Sequence, residues 1–237
     1  MKLKHLTTVI QYIQKVRTNM NYKFIPYEVY TGKENMDTDE KLLNESIENN
    51  SDYSIFRLYG WSPACVSLGR NQKDDFLDYN FLKKEGIDVV RRLTGGRALL
   101  HDNEITYSYV CPVKSLKNGE NITSSYIEIS QILIDKFKKL GIDLDFGGGK
   151  PINTKFDYCM LISTGADLCY NGKKLIGSAQ CRKNGYILQH GSILFDYDID
   201  LLKKIFKEEV STEGITSIKE ILPKMSKNEF INLISQT

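Results

Sequence analysis

A chain of 237 residues, 41% apolar and 26% charged, can bury one substantial core and is neither disordered nor fibrous in composition. Its 32 basic and 30 acidic side chains leave a net charge of +2, which lacks the one-signed field that generic phosphate-backbone binding needs and argues against nucleic acid as a partner. The five cysteines, at 65, 111, 159, 169 and 181, form an odd set with no C-x-x-C, which points away from a disulfide framework or a zinc site and toward reduced thiols in the cytoplasm.

Leu6, Val9, Ile10, Ile13 and Val16 recur at helical spacing with polar residues between them, so the N-terminus reads as an amphipathic helix rather than a signal or membrane span. A strand is expected over 23–30, then a helix from Asp37 to Glu48 capped by its Asp-Thr-Asp-Glu start. Strands follow at 54–59, 64–68, 87–91 and 105–111, with a short helix at 79–85. The apolar spacing from Ser124 to Leu140 predicts a helix ended by Gly141. Further strands fall at 166–170, 174–180 and 186–195, with Asn171-Gly172 and Asn184-Gly185 as hairpin turns. From Ile199 the composition turns helical, and Ser226 with Glu229 has capping-box spacing. The reading is one α+β domain over 1–237, mixed and antiparallel sheets flanked by helices, with a core of about 23–202 and a helical extension over 203–237.

Two segments stand out chemically. In the run from Arg91 to Asp102, Gly95-Gly96 lies between basic clusters, and paired glycines admit close backbone approach and expose N–H groups to an anion. The alternative is a hairpin turn with solvated arginines. In Lys174-Leu175-Ile176-Gly177-Ser178-Ala179-Gln180, followed by Gln189-His190-Gly191-Ser192, small residues occupy strand positions. A substrate chain or a second backbone would need that room, unless this is a bulged sheet edge. The basic pairs Arg91-Arg92, Lys173-Lys174 and Arg182-Lys183 could meet an acidic protein or be solvated surface.

Together these segments resemble the lipoate ligase and octanoyltransferase family, whose hallmarks are an R-R-x-x-G-G-x-A-x-x-H-D loop and a K-x-x-G-S-A strand. Asp39-Glu40, Tyr59-Gly60-Trp61, Ser67-Leu68-Gly69 and Gln189-His190-Gly191-Ser192 add to the match, which covers roughly residues 39–202. The resemblance implies a biotin/lipoate ligase-like catalytic domain without the accessory C-terminal domain of the ligases. Asp157-Tyr158-Cys159-Met160 stands where the cysteine-dependent branch places its nucleophile, although that branch commonly has a small residue where Tyr158 precedes the cysteine.

By that likeness Cys159 attacks the thioester of octanoyl-acyl carrier protein and holds the octanoyl group. It then passes the group to a lysine of the glycine cleavage H protein or a lipoyl domain. Lys174, with Lys173 as rival, would raise the thiolate fraction of a thiol whose ordinary pKa is about 8.5 and could later take the acceptor's proton. Substrate binding is expected from Arg92, Thr94, Gly95, Gly96, Arg97, His101, Gly177, Ser178, Ala179, Gln180, His190 and Gly191, with oxyanion donors near Gly95-Gly96 or Gly177-Ser178. His101 and His190 are alternative bases, or braces for the structure. Each buried acyl methylene is worth about 0.8 kcal/mol, which makes a chain-length pocket reasonable. The expected enzyme is monomeric and cytoplasmic, with no metal or other cofactor and no membrane partner. Competing readings are an ATP-dependent ligase without its accessory domain, an amidotransferase between lipoyl proteins, and a non-catalytic module that binds them.

Overall fold

The structure, a computed structural model, describes residues 22–147, 158, 160, 167–206 and 213–236. The N-terminal helix expected around Leu6–Val16, residue Ala166 and Cys159 lie outside the described residues.

The chain order is β1 (Tyr22–Tyr30), α1 (Gly32–Glu48), β2 (Ser54–Trp61), β3 (Cys65–Leu68), α2 (Tyr79–Lys84), β4 (Asp88–Arg91), β5 (Leu99–His101) and β6 (Glu104–Pro112). A 3₁₀ turn at Val113–Ser115 leads to α3 (Ile122–Lys139), β7 (Asp145–Phe146), β8 (Leu168–Tyr170), β9 (Lys173–Lys183) and β10 (Tyr186–Leu194). The helices α4 (Ile199–Phe206), α5 (Ile218–Ile221) and α6 (Lys227–Ser235) finish it. Seven strands form one sheet in the order β1-β2-β6-β10-β9-β8-β7, and β4-β3-β5 form a second. Among the described strands, only the β1–β2 and β3–β4 pairs are parallel.

The expected α+β class is therefore met; β5 and β7 are short strands beyond those expected, and the other differences lie mostly at element ends. The first helix starts at Gly32, not Asp37, because Thr31 and Glu34 make a reciprocal capping box ahead of the Asp-Thr-Asp-Glu run. Gly32 is the residue that permits this start: a Cβ there would lie 2.5 Å from Cys65 Sγ. At both Asn-Gly pairs each residue has a positive φ, the backbone of a type I′ hairpin turn.

β10, in the middle of the large sheet, is buried throughout. Because strand side chains alternate, His190 and Gln189 face opposite ways. His190 meets Asp39 of α1, while Gln189 meets Ser130 of α3, so a helix covers each face. The C-terminal helices complete the core: Phe230 packs edge-on to Phe137 and near Phe195. The segment at 214–216 pairs in parallel with the start of β9, where Lys174 N donates to Gly214 O (2.8 Å) and Thr216 N donates to Lys174 O (2.9 Å).

Candidate active site

On the α1 face of the large sheet lies a cleft of about 60 Å³, lined among others by Met36, Trp61, Gly96, Met160, Gly177 and Ser192. A single water needs about 10–15 Å³, so this space takes a larger group. One wall is Gly177, Ser178 and Ala179 of β9, a strand that begins just behind the cleft. There Lys174, only 1% exposed, forms an ion pair with Asp167 at 3.1 Å, which removes the reading of this lysine as a solvated turn residue. Its neighbour Lys173 is exposed. The Lys174 side chain crosses Gly177: a Cβ on that glycine would stand 3.3 Å from Lys174 Nζ and 3.1 Å from Met160 Sδ. Thus Lys174 and Met160, the residue after Cys159, share one small space.

The glycine-rich loop forms the rim and is held from behind. Arg92 donates to Ser67 O and Oγ (2.9 and 3.0 Å), to Gly95 O (3.0 Å) and to Arg97 O (2.7 Å), so its guanidinium braces the loop. Thr94, fully buried, lies 2.7 Å from His190 Nε2, and His190 Nδ1 lies 3.1 Å from Asp39 Oδ2. Asp39 accepts from three further donors, Arg57 Nη1 (2.9 Å), Ser108 Oγ (2.9 Å) and Tyr59 OH (2.8 Å). Burial alone would push this carboxyl up, but the hydrogen bond and charge of His190, with Arg57 and Tyr59, hold it below its ordinary value. His190 is therefore a link between α1, β10 and the loop, with both ring nitrogens engaged.

At the other end of the cleft, His101 stacks on Trp61 with ring centroids 3.9 Å apart, and its Nε2 lies 2.8 Å from Ser67 Oγ. Burial, opposed in part by Glu104, pushes its pKa down. Its Nδ1 is 3.4 Å from Glu104 Oε1 without hydrogen-bond geometry. Trp61 Nε1 donates to Thr106 Oγ1, which donates to Glu104 (both 2.8 Å).

Of the residues expected to bind substrate, Arg92, Gly96, His101, Gly177 and Ser178 line the cleft, as do Ala179, His190 and Gly191. Thr94, Gly95 and Arg97 support its rim from outside the lining. Gln180 lies outside the lining, on the α3 side, where it accepts from Ser125 (3.2 Å) and donates to Gln189 (3.0 Å). The room left by small residues is also taken largely from within. A Cβ on Gly191 would meet Tyr107 Cε1 at 2.7 Å, and that ring reaches on to Ser178 Oγ (2.7 Å). The bulged-edge alternative fails because β9 and β10 are interior strands.

Asp167 had no signal in the K-x-x-G-S-A motif itself. The Asn171-Gly172 turn implied a β8–β9 hairpin, and a register drawn back from it would have brought Asp167 near this part of β9. Among the other thiols, burial pushes Cys111 up to about 12 and also raises Cys65 and Cys181, which keeps all three protonated and inert near neutral pH. No group of three or more His, Cys, Asp or Glu suited to a metal occurs among the described residues.

Residues 31–237 match the family model for the lipoyl protein ligase A/B catalytic domain. The octanoyltransferase LipM of Carboxydothermus hydrogenoformans is 39% identical over 187 residues, 78% of this chain and 69% of that protein. That of Staphylococcus aureus is 40% identical over 182 residues, 73% of this chain and 65% of the relative. Among solved structures, a lipoate-protein ligase A bound with ATP superposes with a TM-score of 0.70 at 23% identity, covering 91% of this chain and 83% of the other. A bi-partite lipoate protein ligase with its E2 lipoyl domain from Thermoplasma acidophilum gives 0.67 at 22% identity, covering 91% and 81%. These structural likenesses extend to the fold.

Proposed function

The chain belongs to the lipoyl protein ligase A/B catalytic-domain family, and from that membership we propose that it is an octanoyltransferase of protein lipoylation working through an acyl-enzyme on Cys159. The Cys159 thiolate attacks the carbonyl carbon of octanoyl-acyl carrier protein, a new C–S bond forms, the C–S bond to the carrier breaks, and the carrier leaves as its thiolate. The ε-amine of an acceptor lysine then attacks the acyl-cysteine, an amide forms, and Cys159 is released. Atoms balance without ATP, metal or other cofactor.

The observation that carries this reading is the placement of Lys174: a buried ammonium paired with Asp167 and packed against Met160, the next residue after Cys159. A fixed positive charge there favours a thiolate and disfavours the neutral thiol. Asp167 offsets the desolvation of the ammonium and fixes its direction. The names of the relatives, octanoyltransferases at 37–40% identity in three species, support the acyl group. The neighbour whose structure includes a lipoyl domain supports such a domain as acceptor, with the glycine cleavage H protein as the other candidate. We place the enzyme in the cytoplasm as a monomer; no described helix is long and apolar enough to cross a membrane.

Intact-protein mass spectrometry after mixing with octanoyl-acyl carrier protein, without ATP, tests the proposal. An octanoyl mass increment mapped to Cys159 is expected. Transfer to acceptor that appears only when ATP and free octanoate are supplied would replace it with the ligase reading.

A further inference from the structure

We infer that the Ser192 hydroxyl is a catalytic hydrogen-bond donor to the carbonyl oxygen of the acyl thioester. The inference rests on the acyl-cysteine reading above and adds to it a residue that stabilises the tetrahedral intermediate.

Ser192 is fully buried on β10, lines the cleft, and its Oγ has no hydrogen-bond partner among the described residues. Leaving a buried hydroxyl unmade is costly in the free protein, and such groups persist where a ligand completes them. Its neighbours on this face are all engaged. Thr106 joins Trp61 to Glu104, Ser108 and Tyr59 donate to Asp39, Ser67 meets His101 and Arg92, and Thr94 meets His190. Ser192 is the exception among these hydroxyls.

In the β9–β10 ladder Ser192 is the register partner of Gly177, the glycine over which Lys174 Nζ and Met160 Sδ converge. Register partners point to the same face, about one inter-strand spacing (about 4.8 Å) apart. The hydroxyl sits on the central strand of the large sheet, so it needs no reorganisation as charge develops. The other orphan of the cleft, His101 Nδ1, stands at the Trp61 end with a carboxylate oxygen 3.4 Å away. When sulfur adds to the carbonyl carbon, the carbonyl π pair moves to oxygen and Ser192 donates a hydrogen bond to it while keeping its proton. The pair returns as the carrier thiolate leaves.

The test compares wild type, Ser192→Ala and Ser192→Thr in two rapid-mixing assays on the whole chain. One follows octanoyl-enzyme formation at Cys159 from octanoyl-acyl carrier protein; the other follows alkylation of Cys159 by iodoacetamide, which needs the thiolate but forms no oxyanion. Ser192→Ala should slow acylation by about 10²-fold with alkylation within about twofold of wild type, and the hydroxyl of Ser192→Thr should restore most of the loss. Acylation of Ser192→Ala at the wild-type rate, or an equal fall in both assays, overturns the inference. A wild-type enzyme that forms no octanoyl adduct overturns the acyl-cysteine reading itself, a different result from either.

Discussion

Two buried polar regions lie side by side on the α1 face, and they differ in how their groups are spent. Around Asp39, every oxygen has donors: Arg57, Ser108, Tyr59 and His190 converge on one carboxylate, and His190 passes the order on to Thr94. Around Gly177, a lysine has its counter-ion in Asp167 while a serine hydroxyl has no partner among the described residues. The first arrangement is a scaffold, because a saturated network has no capacity left for a substrate. The second keeps capacity in reserve, which destabilises the free protein but is useful in a transition state.

The largest expected break falls on the reserve side. Cys159→Ala should remove the octanoyl-enzyme and lower transfer by at least about 10⁴-fold, read as acceptor lipoyl-domain mass in timed samples, with the thermal midpoint little changed. Next, Lys174→Met removes one partner of a buried ion pair. It should cost about 3–5 kcal/mol of stability in urea unfolding and move the pH at which Cys159 becomes half-alkylated upward. If that titration does not move, Lys174 has no part in activating the thiol.

On the scaffold side the loss should be mainly of stability. Asp39→Ala strands Arg57, and about 3–5 kcal/mol is expected, seen as a fall in denaturant midpoint; octanoyl transfer per folded molecule falls much less than in the cysteine variant. Thr94→Val leaves His190 Nε2 without its hydroxyl, a smaller cost of about 1–3 kcal/mol. A Thr94→Val enzyme with wild-type stability would show that the loop does not depend on this link.

The smallest effect is set by pH. The Asp39 carboxyl is held below its ordinary value in the fold, so its contribution is complete above the unfolded-state pKa of about 3.9 and is lost as pH falls through the lower folded value. Wild type should lose stability below about pH 4, and Asp39→Asn should lose less over the same range. Lys136 of α3 behaves in the opposite quarter of the scale. Burial lowers it to about 8 while it donates to Ile234 O (2.9 Å) at the end of α6, so stability rises with pH between about 8 and 10.4, the ordinary value. Lys136→Met should flatten that rise in thermal unfolding.

The same contrast explains what was legible in the sequence. Asn171-Gly172 and Asn184-Gly185 were readable because a type I′ turn is a property of two adjacent residues. Lys174 and the glycine-rich loop came through a motif resemblance. The Asp39 network joins residues 18 to 151 positions apart, and only topology brings them together. Asp167 escaped notice because its pairing with Lys174 follows a register shift between β8 and β9. The large Tyr158, unexpected beside the cysteine, is accommodated by stacking on Phe206 of α4 at 4.7 Å and bridging to Ala98, contacts that no local pattern announces. Nothing in the Gln189-His190-Gly191-Ser192 stretch singles out Ser192, because an unpartnered hydroxyl is recognisable only once the partners of its neighbours are known.

The pairing of 214–216 with the start of β9 has a consequence for synthesis. The backbone N–H and C=O of Lys174 are both fastened by a segment some 40 residues further along the chain. A ribosome-bound chain that has emerged only through β10 holds the glycine-rich loop, the Asp39 network and Ser192, but not the strand that steadies its lysine. The backbone of that lysine is fastened only once residues 214–216 have been made and have paired with β9.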